Sequence, residues 1–170
     1  ESLNQLIEVL YIKKNKSIEK ELLNFQEIYS KTIESLQGEI LNSKAVVSAN
    51  FENALSIVYS KIYLESIFHN LISNAIKYKH ETRIPEIHIS TEINNNRLLL
   101  RVKDNGLGID LNKYGDKIFG LHQVFHKHPN AKGIGLFMTK TQIESLNGKI
   151  SVSSEVNEGT TFTVEFFMEK

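Results

Sequence analysis

A carboxylate and two glycines stand together in residues 104–108, which read Asp-Asn-Gly-Leu-Gly and follow an alternating apolar strand pattern. A buried carboxylate is costly unless it is paired, and the exocyclic amine of an adenine base could donate a hydrogen bond to Asp104. Gly106 and Gly108 lack a Cβ, so the backbone there could pass close to a flat base. The alternative is an Asp-Asn-Gly turn without a ligand, and this segment alone does not decide between the two.

A second polar group lies on the helical pattern that follows Ser60, the strongest such pattern in the chain. Asn70, Asn74, Lys77 and Tyr78 are four, three and one residues apart, so they share one side of the helix, opposite an apolar side. Amide oxygens suit Mg²⁺, which completes its shell with waters and nucleotide phosphates, and Lys77 adds a positive charge. A solvated polar face is the alternative, which the combination of all four residues disfavours.

The third segment, residues 132–136, reads Lys-Gly-Ile-Gly-Leu and opens a helical pattern. Free N–H groups at a helix start attract phosphate oxygens, and two glycines let phosphates approach. No Gly-Lys-Ser or Gly-Lys-Thr follows, and the third glycine of a dinucleotide fingerprint is absent. We therefore reject both the Walker and the Rossmann interpretations of this segment.

The remaining patterns predict an α+β fold that positions these three segments. We expect strands at 21–25, 45–51, 55–59, 86–94, 97–103, 149–155 and 160–167, and helices at 26–42, from Ser60 to about 76, and from about 133 to 147. The predicted architecture is a two-layer α/β sandwich, with a mixed, mostly antiparallel sheet and helices on one face. Residues 105–132 are long and irregular, which is often a sign of function.

Composition excludes several classes of protein. The 170 residues fit one domain, and Lys plus Arg balance Asp plus Glu, which disfavours a nucleic-acid partner. There is no cysteine, so disulfides and thiolate metal sites are excluded. No apolar run reaches the roughly 18 residues that span a bilayer. We expect a cytoplasmic piece of a longer protein, and this sequence does not decide whether a membrane segment lies upstream of it.

Taken in order, these motifs resemble the catalytic ATP-binding domain of sensor histidine kinases, in the superfamily shared with gyrase, Hsp90 and MutL. The segment from Asn70 to Tyr78 resembles the asparagine box, and 104–108 the first glycine box. Ile118-Phe119, the segment 133–136 and the Gly-Thr pair at 159–160 resemble the phenylalanine box, the second glycine box and the final motif. The resemblance divides the chain into a helical remnant of the dimerisation and phosphoacceptor domain with its linker, residues 1–20, and a catalytic domain, residues 21–170.

The resemblance also implies roles. Asn74, assisted by Asn70, would coordinate Mg²⁺, and Asn70, Asn74 and Lys77 would be catalytic. Asp104 would bind the adenine amine, and residues from about 111 to 132 would form a long ATP lid. The implied nucleotide-binding residues are Asn70, Asn74, Lys77, Tyr78, Asp104, Gly106, Gly108, Ile109, Phe119, Lys132, Gly133, Ile134, Gly135, Leu136 and Thr160.

The implied function is transfer of the γ-phosphoryl group of Mg-ATP to a histidine of the protein's own dimerisation domain. Asn70 stands where ATPases of the superfamily carry a glutamate, and an asparagine cannot act as a general base. None of the six histidines lies in a phosphoacceptor context, so the acceptor is expected upstream. A response regulator receiver domain would be the downstream partner. The intact protein would form a homodimer, whereas the sequence does not decide whether this piece alone is a monomer. A degenerate ATP-binding scaffold and a hydrolytic ATPase are the alternatives.

Overall fold

The computed structural model describes residues 18–115, 117–120 and 135–168. In chain order the elements are β1 (Glu21–Asn24), α1 (Phe25–Ser35), α2 (Gln37–Ser43), β2 (Val46–Asn50), β3 (Ser56–Tyr59), α3 (Lys61–Lys77), β4 (Glu86–Asn94), β5 (Arg97–Asp104), α4 (Leu111–Tyr114), α5 (Gly135–Ser145), β6 (Lys149–Glu155) and β7 (Gly159–Phe167). Within those ranges no helix combines the length and the apolar character needed to cross a bilayer.

A five-stranded sheet in the order β2-β4-β5-β7-β6 forms one layer of the fold. Only the β2–β4 pair is parallel among these neighbours, and the other pairs are antiparallel. β1 and β3 form a separate antiparallel ribbon. The buried residues of β4 and β7 alternate along each strand, so one face of the sheet is covered by the helices. The predicted α+β sandwich with a mostly antiparallel sheet is confirmed.

Helix α3 lies at the centre of the helical layer and carries the asparagines of the second polar group. The Ser60 hydroxyl accepts from the Tyr63 N–H at 3.3 Å, which caps the start of the helix. The buried side of α3 consists of Tyr63, Leu64, Ile67, Phe68, Leu71, Ile72, Ala75 and Ile76. This apolar side packs on β4 and β5 and fixes which side of α3 faces outward.

The single helix predicted for residues 26–42 is wrong, because the chain breaks at Leu36 into α1 and α2. Leu36 leaves the helical region at φ −101° and ψ 12°, and its side chain is only 2% exposed. The turn thus buries Leu36 while redirecting the chain. Leu41 of α2 is 67% exposed, and no residue of α2 is fully buried.

The strands expected at 86–94 and 97–103 are present as β4 and β5, and they form a hairpin. Asn94 pairs with Arg97, and the intervening Asn95 and Asn96 have φ of 50° and 65°, as a two-residue hairpin loop requires. This turn fixes the register of β5 against β4, and in the pairing of β5 with β7 Asp104, at the far end of β5, lies opposite Thr160.

Two further details differ from the sequence-based expectations. The irregular stretch contains the short helix α4, which Asp110 caps by accepting from the N–H groups of residues 112 and 113. Helix α5 ends at Ser145, and the left-handed residue that follows is Asn147, with φ 64°. Gly148, the next residue, must be a glycine because a Cβ there would lie 2.7 Å from the Glu165 carbonyl oxygen.

Candidate functional site

Asp104 ends β5 with its side chain half-buried between two loops. Its Oδ1 accepts hydrogen bonds from the backbone N–H of Gly106 at 2.8 Å and of Thr160 at 3.3 Å. In the described part of the chain, no group donates to Oδ2. The carboxylate is therefore oriented through one oxygen, and the other is left to accept from a ligand.

Burial raises the pKa of the Asp104 carboxyl from 3.8 to about 6, although the hydrogen bonds from Gly106 and Thr160 act in the opposite direction. The carboxyl is thus mostly ionised at neutral pH and incompletely solvated. An ionised acceptor in such a setting forms a strong hydrogen bond with a suitably placed donor.

The two glycines that follow Asp104 are needed because protein backbone crowds them. A Cβ on Gly106 would lie 2.4 Å from the Tyr78 carbonyl oxygen. Gly108 has φ 71°, and a Cβ there would lie 2.0 Å from the Glu155 carbonyl oxygen. Crowding by the backbone of the end of α3 and of β6 is therefore sufficient reason for both glycines, and the close approach to a flat base stays a prediction.

The loop after Asp104 connects the end of α3 to the turn between β6 and β7. The Leu107 N–H donates to the Tyr78 carbonyl at 2.9 Å, and its own carbonyl accepts from the Asn157 N–H at 2.7 Å. Burial raises the pKa of the Tyr78 phenol, which is neutral at physiological pH. Asp104 and the polar side of α3 are consequently held at a fixed distance by backbone bonds.

Thr160 is 6% exposed and completes a hydroxyl pair at the same end of the sheet. Its Oγ1 lies 2.8 Å from Ser154 Oγ, which donates to the Gly159 carbonyl at 2.9 Å and accepts from the Ile109 N–H at 2.8 Å. Since the single Ser154 proton goes to Gly159, Thr160 donates to Ser154. The remaining lone pairs of Thr160 Oγ1 are then available to accept.

Asn70 lies on α3 against the first turn of α5. Its Nδ2 donates to Thr139 Oγ1 at 3.2 Å, and Thr139 in turn donates to the Gly135 carbonyl at 2.8 Å. One turn further along α3, the half-buried Asn74 has no side-chain hydrogen bond to any described residue. With its nitrogen bound to Thr139, Asn70 leaves an amide oxygen free to bind a cation, and so does Asn74.

The structure thus brings together residues from all three segments that the sequence singled out. Gly135 and Leu136 begin α5 next to Asn70, and Leu136 packs against the core. Phe119 contacts Phe162 edge-on, with the ring centroids 6.2 Å apart. Residue 116 and residues 121–132 of the proposed lid, with Lys132 at its end, lie outside the described residues, as do Gly133 and Ile134.

Three residues of this site were missed by the sequence analysis: Arg83, Asn105 and Ser154. Arg83 donates from Nε and Nη2 to the Asn105 carbonyl at 3.1 and 2.9 Å, and from Nη2 to the carbonyls of Gly106 at 3.0 Å and Asn157 at 2.6 Å. The Asn105 amide bonds to the backbone of residues 84 and 86. Asn105 stands inside a recognised motif, whereas Arg83 lies in an unremarkable loop.

Comparison with known proteins identifies the class. Residues 60–170 match the family described as histidine kinase-, DNA gyrase B-, and HSP90-like ATPase, and the chain belongs to this family. It is 38% identical over 109 residues to cyanobacterial phytochrome A of Nostoc sp., which covers 63% of this chain and 14% of that protein. It is 36% identical over 105 residues to the sensor protein kinase WalK of Staphylococcus saprophyticus, covering 59% of this chain and 17% of that protein.

Solved structures show the same fold. The histidine kinase AdeS of Acinetobacter baumannii superposes with a TM-score of 0.79 at 21% identity, covering 99% of this chain and 77% of that one. The catalytic domain of histidine kinase ThkA gives 0.74 at 20% identity, covering 88% and 97%. Full-length ShkA in complex with AMPPNP gives 0.81 at 16% identity, covering 96% and 34%.

The resemblance to sensor histidine kinase catalytic domains is therefore confirmed, and it supports ATP binding and a kinase or ATPase role. The chain spans only about one-seventh of phytochrome A and one-sixth of WalK, the curated relatives described above. The activity of a whole protein of that kind accordingly remains a matter for proposal.

Proposed function

We propose that this chain binds Mg-ATP between the end of β5, the polar side of α3 and the start of α5, and donates the γ-phosphoryl group to a histidine. The observation that carries the proposal is the hydrogen-bonded connection between the three segments. Tyr78 and Leu107 join α3 to the Asp104 loop, and Asn70 and Thr139 join α3 to α5. Each segment then contributes a different kind of contact to one ligand.

At the base end, Asp104 Oδ2 accepts a hydrogen bond from the exocyclic amine of adenine. Thr160 Oγ1, which donates to Ser154, adds an acceptor on the neighbouring strand. Guanine presents a carbonyl oxygen where adenine carries its amine, and two acceptors facing each other repel. The site therefore selects adenine over guanine through the unpaired oxygen of Asp104.

At the phosphate end, the side chains present fit a magnesium ion. Mg²⁺ prefers oxygen ligands and retains several waters, so one or two amide oxygens suffice, and Asn74 and Asn70 supply them. The cation supplies charge neutralisation for the phosphates. Lys77 adds a positive charge, and the N–H groups at the start of α5, from Gly135 and Leu136, bind phosphate oxygens. By resemblance, Lys132, Gly133 and Ile134 extend that phosphate contact.

Transfer forms a bond between the γ-phosphorus and an imidazole nitrogen of the acceptor, while the bond from that phosphorus to the β–γ bridging oxygen breaks and ADP leaves. Positioning and electrostatic stabilisation account for most of the catalysis in such reactions. Where ATPases of the superfamily carry a glutamate, α3 has an amide, Asn70, which cannot remove a proton from water. Transfer to an acceptor is consequently favoured over hydrolysis.

We place the acceptor on a dimerisation and phosphoacceptor domain upstream, to which residues 1–20 would connect; residues 1–17 of this stretch lie outside the described residues. A receiver domain would take the phosphoryl group onward, and the intact protein would be a homodimer. The relatives named sensor protein kinases support these partners.

A two-part experiment tests the proposal. Isothermal titration of the chain with AMPPNP, with and without Mg²⁺, should show binding that strengthens with the cation. The chain extended upstream through the acceptor domain should then become labelled by γ-phosphate-labelled ATP at an acid-labile, base-stable site. Absence of binding would refute the nucleotide site. Binding without labelling would identify a scaffold, and steady phosphate release by the isolated chain would identify an ATPase.

A further inference from the structure

Arg83 forms a clamp between the two loops that frame the base end of the site. The loop after β5 contributes the carbonyls of Asn105 and Gly106, and the turn between β6 and β7 contributes the carbonyl of Asn157. Asp104 immediately precedes the first loop, and Thr160 closely follows the second. One guanidinium therefore sets the relative position of the two residues proposed to recognise adenine.

The clamp also fixes the orientation of one particular peptide group. The Asn105 carbonyl and the Gly106 N–H belong to the same planar peptide, in which C=O and N–H point in opposite directions. Arg83 donates twice to that carbonyl, while the N–H on the other side donates to Asp104 Oδ1 at 2.8 Å. If this peptide rotated, Asp104 would lose the shorter of the two hydrogen bonds that orient its carboxylate.

Among the described residues, the charged guanidinium of Arg83 bonds only to these backbone carbonyls. No carboxylate in that part of the chain lies within ion-pair distance of the guanidinium, and all its described partners are backbone carbonyls. Hydrogen bonds from a charged donor are stronger than neutral ones. The planar fork of arginine can meet several carbonyls at once, which a lysine ammonium on its flexible stem cannot do in the same geometry.

We propose that Arg83 is a positioning residue for adenine selection: it holds the Asn105–Gly106 peptide and the Asn157 turn so that Asp104 Oδ2 faces the exocyclic amine. This inference rests on the proposed function. It concerns only the base end of the site, so removal of Arg83 should weaken recognition of the amine and leave the phosphate contacts of α3 and α5 intact.

The test compares two nucleotides that differ in one group. ATP carries the 6-amino group, and purine ribonucleoside triphosphate lacks it. Dissociation constants for both are measured with Mg²⁺ by calorimetry for the wild-type chain, Arg83→Ala, Arg83→Lys and the control Arg97→Ala. Arg97 begins β5, roughly 23 Å from Asp104 along the strand, and stacks over the Phe167 ring.

We expect Arg83→Ala to weaken ATP binding about tenfold, the worth of one charged hydrogen bond, while the purine analogue binds unchanged. Arg83→Lys should lose most of the selectivity as well, and Arg97→Ala should lose none. Circular dichroism verifies folding of each variant, and Arg83→Lys decides the matter if the alanine variant does not fold.

Three results would overturn the inference. Wild-type selectivity in Arg83→Ala would show that the clamp is dispensable, and wild-type selectivity in Arg83→Lys would show that charge alone matters. An equal loss for both nucleotides would show a general structural role. A wild-type chain that binds neither nucleotide would refute the proposed function itself, which is distinguishable because it concerns the unmodified protein.

Discussion

Replacing Asp104 with asparagine separates recognition of the base from stability of the fold. The asparagine oxygen can accept from the N–H groups of Gly106 and Thr160, which bond to Asp104 Oδ1 at 2.8 and 3.3 Å. Its NH₂ group then faces the adenine amine, donor against donor. If the amide flips, the NH₂ group instead faces the two backbone N–H groups. Either orientation loses a hydrogen bond.

The loss of affinity can be estimated from this geometry. A hydrogen bond that involves a charged group contributes about 1.5–3 kcal/mol, which corresponds to roughly 10- to 150-fold in the dissociation constant. The free Asp104→Asn protein, by contrast, should be as stable as the wild type or more stable. Burial raises the Asp104 pKa from 3.8 to about 6, so ionisation of this group at neutral pH opposes folding, and a neutral asparagine removes that opposition.

The assay is calorimetric titration with Mg-AMPPNP at neutral pH, combined with thermal unfolding of the free protein. Asp110→Asn is the matched control, because Asp110 caps α4 and asparagine caps a helix equally well. We expect Asp104→Asn to bind weakly and unfold no earlier than the wild type, and Asp110→Asn to match the wild type in both. Unchanged affinity in Asp104→Asn, or an equal loss in Asp110→Asn, would refute the reasoning.

Three further predictions follow from the same geometry. ATP affinity should fall as pH falls through about 6, because protonated Asp104 is a weaker hydrogen-bond acceptor. The free protein should gain stability from this group as pH falls from about 6 towards 3.8. Calorimetry measures the affinity and urea unfolding the stability across this range, and an affinity that does not change with pH would contradict the first prediction. Gly108→Ala should destabilise the fold by at least about 2 kcal/mol in urea unfolding, because φ of Gly108 is 71° and a Cβ would lie 2.0 Å from the Glu155 carbonyl oxygen. Gly38→Ala, at an uncrowded position on α2, should instead stabilise the fold by about 0.5–1 kcal/mol. Equal effects of the two substitutions would contradict the packing argument. Asn74→Ala should reduce the gain in AMPPNP affinity that Mg²⁺ provides, because Asn70 alone then supplies an amide oxygen, and an undiminished gain would place the cation elsewhere.

Regular elements could be predicted because their signals are local. The apolar repeat after Ser60 predicts α3, and two asparagines between alternating strands predict the hairpin that carries Asp104 to its place. The break at Leu36 could not be predicted, since it depends on how the side chain reaches a core built from distant parts of the chain. Periodicity alone continues through such a turn.

The residues of the candidate site likewise fall into those that a local motif reveals and those that act through distant parts of the chain. Asp104 and Asn70 belong to motifs with recognisable spacing, and the structure joins the Asp104 loop to the end of α3 and Asn70 to α5. Arg83 and Ser154 bond to backbone groups that are distant in sequence, the Asn157 carbonyl and the Ile109 N–H, and a backbone group leaves no trace in the residue types around it. The reason for Gly108 was likewise hidden, because its crowding comes from Glu155.

The most direct test of the account is a crystal structure of the chain grown with Mg-AMPPNP. We expect the adenine amine about 2.7–3.2 Å from an Asp104 carboxylate oxygen, and the cation about 2.1 Å from the Asn74 amide oxygen. A nucleotide bound with its base away from Asp104, or with its phosphates and cation away from α3, would contradict the central claim that these segments form one site.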